Sequence, residues 1–375
     1  MQLKALSAVA LTVCAVAGLV ATQRPATAHE EVSEHLTPSY KVEGLYPSMK
    51  GPAYTNQDIF LSEGEPELLW VRGYEAVMVG ADGQAPKPQQ FMCHNTLSIH
   101  RGLDQHRWLF GSSPYGTRRL FTLSQGQYKV EFPDGFGIPV LSTEKLMLQS
   151  QVLNLNREAI GEQVRHKIRT HFVRDNQLNK PLKPLCMIPS GVSVKVTDKC
   201  AAQMPNDPMQ LGCGIDPDTA ENAGGPLSST PKGTFTGHWV VRPGKEVRKT
   251  NIGYTFPFDT SIHYICVHVH PGAESFELRD LTTQQSLFVA KGEQLTQGVG
   301  LDRISYFSSD KGIPVFRNHQ YELISQYRND TQEPQSAMAF MFFYVLDQQF
   351  HKPDRKTMLR SDESFCGPVR PDMLR

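Results

Sequence analysis

IHYICVHVHPG (residues 262–272) decides how the rest of the chain is read. Apolar and β-branched residues fill it up to the Pro-Gly that closes it, which is the pattern of a strand ending in a turn. Successive side chains on a strand point to opposite faces, so Cys266, His268 and His270 share one face while His263 lies on the other. Two imidazoles at i and i+2 can converge on one ion, and copper, zinc, nickel and iron all accept imidazole. The pair alone is weak evidence, because 13 histidines in 375 residues give about 0.45 His-x-His pairs by chance.

The strand reading extends outward in both directions. ELLWVRGYEAVMV (67–79), QQFMCHNTLSIH (89–100), KLMLQSQVLNLN (145–156), KIRTHFV (167–173), GHWVVRPG (237–244), SFELRDL (275–281), YELISQY (321–327) and AMAFMFFYV (337–345) are short apolar or alternating runs. Breakers such as PDG (133–135) and SSDKG (308–312) fall between them. Such spacing predicts an all-β protein built as two antiparallel β-sandwich, jelly-roll-like domains in tandem. The best helical candidate is NREAIGEQVRHK (156–167), part of which also reads as strand.

Hydrophobic residues make up 39% of the chain, enough for two real cores. Lys plus Arg equals Asp plus Glu at 38 each, leaving no global field to hold nucleic acid or an acidic membrane surface. Lys4, the apolar run from Ala5 to Ala21 and the Ala26-Thr27-Ala28 site read as a secretory signal over residues 1–28. The expected mature chain begins near His29 and carries no membrane span, so a secreted or periplasmic location follows. If His29 becomes the new N-terminus, its amine and imidazole could chelate copper as a brace.

Seven cysteines become six once Cys14 leaves with the signal. Cys186, Cys200, Cys213 and Cys366 are the disulfide candidates, with a local bridge expected within the Pro/Gly-rich cluster of the first three. Residues 29–200 form the expected first domain, 201–231 a linker or excursion lacking any period, 232–350 the second domain, and 351–375 a polar tail. Asn329-Asp330-Thr331 is a glycosylation sequon.

The order of features resembles the copper type II, ascorbate-dependent monooxygenases, the peptidylglycine alpha-hydroxylating and dopamine beta-monooxygenase family. RPGKEVRKTNIGY (242–254), VHVHPG (267–272) and AMAFMFFY (337–344) follow the family's turn, His-x-His strand and closing Met strand. FPDGFGIPV (132–140) and CMIPSGVSVKVT (186–197) match two motifs of its first half. The resemblance spans roughly residues 70 to 350. It implies that His268, His270 and Met338 hold a copper that uses dioxygen, and electrons from ascorbate or a similar reductant, to hydroxylate an unactivated C–H bond.

Two departures qualify it. The family's first copper uses an adjacent His pair and a third His; Cys93, His94 and Gln151 stand at those positions here. An Arg and a Tyr that clamp a substrate carboxylate are replaced by Cys266 and Phe342, which favours a small, more apolar substrate. By residue type each methionine also reads as core filler, and Cys266 as a buried thiol or a ligand. The rival functions are a non-catalytic copper-binding or copper-handling protein on the same fold, and a metal-free sandwich. No phosphate-binding glycine loop or hydrolase motif is present.

Overall fold

The computed structural model describes residues 29–99, 119–195, 227–230, 233–253 and 256–360. The first half supplies β1 (Glu31–Leu36), β2 (Tyr40–Lys41), β3 (Ala53–Ile59), β4 (Leu68–Val79), β5 (Met92–Ile99), β6 (Arg119–Leu123), β7 (Lys129–Glu131), β8 (Phe136–Leu141), β9 (Leu146–Val152), β10 (Gln163–Arg174), β11 (Lys183–Gly191) and β12 (Val194–Lys195). The second half adds β13 (Leu227–Thr230), β14 (Gly233–Thr236), β15 (His238–Val241), β16 (Gly244–Gly253), β17 (Thr260–Val269), β18 (Ala273–Asp280), β19 (Gln285–Gln294), β20 (Leu301–Ile304), β21 (Phe307–Val315), β22 (Tyr321–Asn329) and β23 (Gln335–Leu346). A six-residue helix, α1 (Arg355–Arg360), follows.

The protein is all-β, as the turn-punctuated runs predict. One sheet of eleven strands runs β1-β10-β4-β8-β11-β23-β17-β21, with β15 also on β23. Its pairings are antiparallel except for a short parallel join of β8 to β11 through Lys183 and Pro184. A four-stranded sheet, β3-β9-β5-β6, and a five-stranded one, β16-β22-β18-β19-β20, accompany it.

Two cores form, and the large sheet serves both. Tyr74, Phe91, Phe121, Phe136, Leu146 and Leu148 lie in the first, which also takes Tyr264, Cys266, Phe342 and Tyr344 from the C-terminal strands. Trp239, Ile265, Val267, Val269, Ala339, Met341 and Phe343 lie in the second. β17 and β23 therefore bury both faces: one residue parity goes to each core. That is why their sequences read as nearly unbroken apolar runs with no polar face.

Three local readings change. Residues 156–167 form no α-helix: a 3-10 turn, Arg157–Ala159, is followed from Gln163 by β10, the strand that part of this stretch also reads as. Gly161 adopts φ +102, a conformation that ends a helix, and Val164, His166 and Ile168 then alternate inward. The end of the expected linker, Leu227–Thr230, is β13, a hairpin partner of β14; residues 201–226 lie outside the described residues. The tail begins with α1, whose Met358 packs beside Phe350 on a small cluster of Leu68, Trp70, Leu141 and Val173. The signal segment, His100, His106, Cys200, Cys213 and Cys366 also lie outside the described residues.

Asn329 is 5% exposed, and its amide donates to Val241 O and Glu333 O while its oxygen accepts from Thr331. In the folded chain it closes a turn and offers no free amide for a glycan.

A polar network crosses the first core: the Tyr74 hydroxyl donates to Asn95 Oδ1, and the Asn95 amide meets His166 Nδ1 at 3.2 Å. Burial, aided by His94, lowers the His166 pKa to about 3. Its folded value is below its unfolded value, so the unfolded chain binds the extra proton between about pH 6.5 and 3 and stability falls as pH drops through that window. Measured by denaturant unfolding, the slope between pH 6 and 4 is expected to shrink by about 1.4 kcal/mol per pH unit in His166→Met, whatever the variant's absolute stability.

Candidate metal centre

β23 carries the centre of the site because it lies between β15 and β17. Its register pairs Met338 with His238 on β15 and Phe340 with His268 on β17. One step further, the His270 N–H donates to Met338 O at 3.2 Å. Residues directly opposite across a ladder share a face, so His238, His268, His270, Met338 and Phe340 all project from one side of the sheet. Trp239, Val267, Val269, Ala337 and Ala339 project from the other, into the second core.

His268 Nε2 lies 3.2 Å from Met338 Sδ, and the rings of His268 and His270 are 5.5 Å apart. His270 Nδ1 is 3.2 Å from Ser336 O. A carbonyl can only accept, so Nδ1 carries the proton and Nε2 the lone pair. Metal-binding histidines are commonly oriented by such a bond. Ser48 Oγ stands 3.4 Å from His270 Nε2 and 3.8 Å from Cys93 Sγ. Tyr327 secures the backbone: its hydroxyl donates to Met338 O at 2.6 Å and accepts from the His270 N–H at 3.1 Å.

Burial dominates the electrostatics. His268 and His270 are each 7% exposed. Burial, then the charge of neighbouring imidazoles, holds the His268 pKa well below the usual range and brings His270 to about 3. His94 and His238 fall to about 4 for the same leading reason. All four are neutral at pH 7, the form that binds metal.

The other sequence-derived candidates fall in different places. Cys93 lies at a bulge in β5, and His94 pairs with Gln151 of β9. Gln151 spends its amide on Gly51 O at 2.9 Å, and burial pushes the Cys93 thiol pKa up. Cys93 and His94 nevertheless line the same cavity of about 660 Å3 as His238, His268 and Met338. Cys266 shares the face of the imidazoles, and its buried thiol is committed to Thr122 O, to which it donates at 3.1 Å. His29 is exposed ahead of β1, five strand spacings from β23 in the sheet order, or roughly 24 Å at about 4.8 Å each. Cys186 is half-buried against the second core. His263 is a structural residue, bonded to Ser261 Oγ at 2.7 Å and Ser309 O at 3.0 Å and lying over Phe136.

Among the described residues no group of three His, Cys, Asp or Glu side chains is arranged to hold an ion. The donors that do come together are two imidazoles and a thioether, and they fit copper by type. Sequence reasoning passed over Ser48, Ser336 and above all His238. The alternation in HWVV puts His238 opposite Trp239 and Val241, but nothing in those four residues says which strand lies beside them.

Phe340 floors this cavity because two glycines make room. A Cβ on Gly191 would meet the Phe340 ring at 2.6 Å, and one on Gly237 would meet it at 2.8 Å. Gly191→Ala is expected to destabilise the protein by about 1–3 kcal/mol through overpacking, read as a lower denaturant midpoint.

No protein-family model matches the chain, and no curated protein matches its sequence.

Proposed function

We propose that the protein is an exported copper-dependent monooxygenase-like enzyme that holds one copper with His268, His270 and Met338. The observation that carries this reading is the 3.2 Å approach of His268 Nε2 to Met338 Sδ beside a second imidazole fixed in the metal-binding tautomer by Ser336 O. Two imidazoles and a soft thioether are a donor set for Cu(I). Copper bound there supplies the activation of dioxygen for hydroxylating a C–H bond, with electrons from ascorbate or a similar reductant.

The protein's own part is to position the donors and choose the substrate. Met49, Ile99, Met147, Pro189, Phe340 and Phe342 line the cavity, which suits a small apolar molecule. The Arg119 guanidinium lies 5.9 Å from the Phe342 ring centre and supplies charge at that wall. Export follows from the signal-like residues 1–28. It would allow the bridge expected among Cys186, Cys200, Cys213 and Cys366, whereas Cys93 and Cys266 are free thiols. No helix among the described residues is long and apolar enough to cross a membrane.

A second reading, a copper-binding protein without oxygenase activity, draws on the first half-site. With Gln151 committed to Gly51 O and Cys93 bonded to Ser48, a second, electron-storing copper has a poor donor set there. Oxygen consumption that depends on reductant and matches product formation supports the enzyme; peroxide release without product supports the binding protein.

Copper analysis of the reduced protein is expected to give one equivalent that is lost in the His268→Ala/His270→Ala double variant. Unchanged binding in that variant would refute the site. Met338→Leu conserves volume and is expected to weaken Cu(I) binding about tenfold, or about 1.4 kcal/mol, with an unchanged thermal midpoint in the metal-free state.

A further inference from the structure

His238 is 1% exposed, and neither of its ring nitrogens has a hydrogen-bond partner. A neutral imidazole carries one donor and one acceptor, and leaving a buried polar group unmade costs about 1–3 kcal/mol. His263 avoids that cost by bonding Ser261 and Ser309, and His166 leaves only Nε2 unpaired while its Nδ1 meets Asn95; His238 leaves both. Burying an imidazole with both nitrogens idle is explained when something outside the protein takes one of them.

Its position says what. His238 is the ladder partner of Met338, on the strand flanking β23 opposite to the one bearing His268 and His270. Its ring lies 5.7 Å from that of His270, close to the 5.5 Å between His268 and His270. Two imidazoles on one ion at about 2.0–2.1 Å have ring centres about 5–6 Å apart at ordinary ligand angles. Both spacings fall in that range.

We propose that His238 is a third imidazole ligand, so that the copper is held by His238, His268, His270 and the Met338 thioether. The inference rests on the copper reading above and deepens it. His238 and the two β17 histidines flank Met338 from either side; as they stand the three rings are not grouped around one point, so binding the ion would require the His238 side chain to turn. A third imidazole adds a donor that suits Cu(II) as well as Cu(I). The ion then stays bound in both oxidation states, as a centre without a neighbouring copper must when it gives up and regains an electron.

The test is ligand counting on the full mature protein loaded with one equivalent of copper. X-ray absorption and the nitrogen hyperfine pattern of Cu(II) should give three imidazoles in the wild type and two in His238→Gln, with Cu(II) affinity falling about tenfold or more. A wild-type count of two, with copper still lost in His268→Ala/His270→Ala, overturns the His238 proposal and leaves the parent site standing. A count of three that drops in His94→Ala and not in His238→Gln also overturns it. If copper does not bind stoichiometrically, or binds regardless of His268 and His270, the parent reading itself fails. Should His238→Gln not fold, the wild-type count and the His94→Ala comparison decide.

Discussion

β17 and β23 are buried on both faces, and the rest of the site depends on that constraint. Side chains alternate along a strand, so two adjacent strands in register divide their residues between two environments with no latitude for slippage. A one-residue shift of β23 would send Met338 into the second core and bring Ala337 or Ala339 to the histidines. The apolar parity, Ala337, Ala339, Met341, Phe343 and Val345, is packed into the second core, so that shift would strip a whole row of buried side chains of its contacts. The thioether is thus held beside the imidazoles by hydrophobic burial on the opposite side of the sheet.

The donor face meets the first half of the chain. Ser48, Cys93 and His94 come from residues more than a hundred positions upstream, yet they line the cavities next to His268 and His270. Enclosure there removes water from four imidazoles at once. Desolvation disfavours the charged form, so the histidines give up their protons and become lone-pair donors. Arg119 reinforces this at His94 and His268, because a nearby cation also penalises imidazolium. A cluster of neutral nitrogens without a carboxylate is poorly suited to proton relay, which needs a group that titrates near the working pH. It is well suited to holding a soft or borderline metal ion.

Much of this was legible in the sequence, for a physical reason. Strand alternation is local, so the runs around 67–79, 262–270 and 337–345 could be read as strands, and His268 with His270 as neighbours on one face. Pairing between strands is not local. Met338 could be set beside the histidines only through the resemblance, and His238 could not be set there at all, since a four-residue strand starting at a lone histidine gives no register. Short-range misreadings have local causes: Gly161 at positive φ turned a helical pattern at 156–167 into a 3-10 turn, and the polar composition of Leu227–Thr230 hid a hairpin strand. The two cores were foreseeable from the amount of apolar sequence, but their sharing of one large sheet was not, because it follows from β11 pairing with both β8 and β23.

The same geometry gathers polar groups from both halves of the chain around one part of β23. In a two-metal arrangement each half must hold its own ion and stand apart from the other. Here Ser48 bridges the halves directly, within 3.4 Å of His270 and 3.8 Å of Cys93, and His94 lies close enough to His268 and His238 to perturb their protonation or be perturbed by it. His268, Ser48 and Cys93 line two neighbouring cavities, one shared with His270 and the other with His94 and His238. On the proposed copper reading, pairing His94 with Gln151 rather than a third imidazole would leave no rival ion beside His268. On the copper reading proposed above, the donors around Met338 would then hold a single ion.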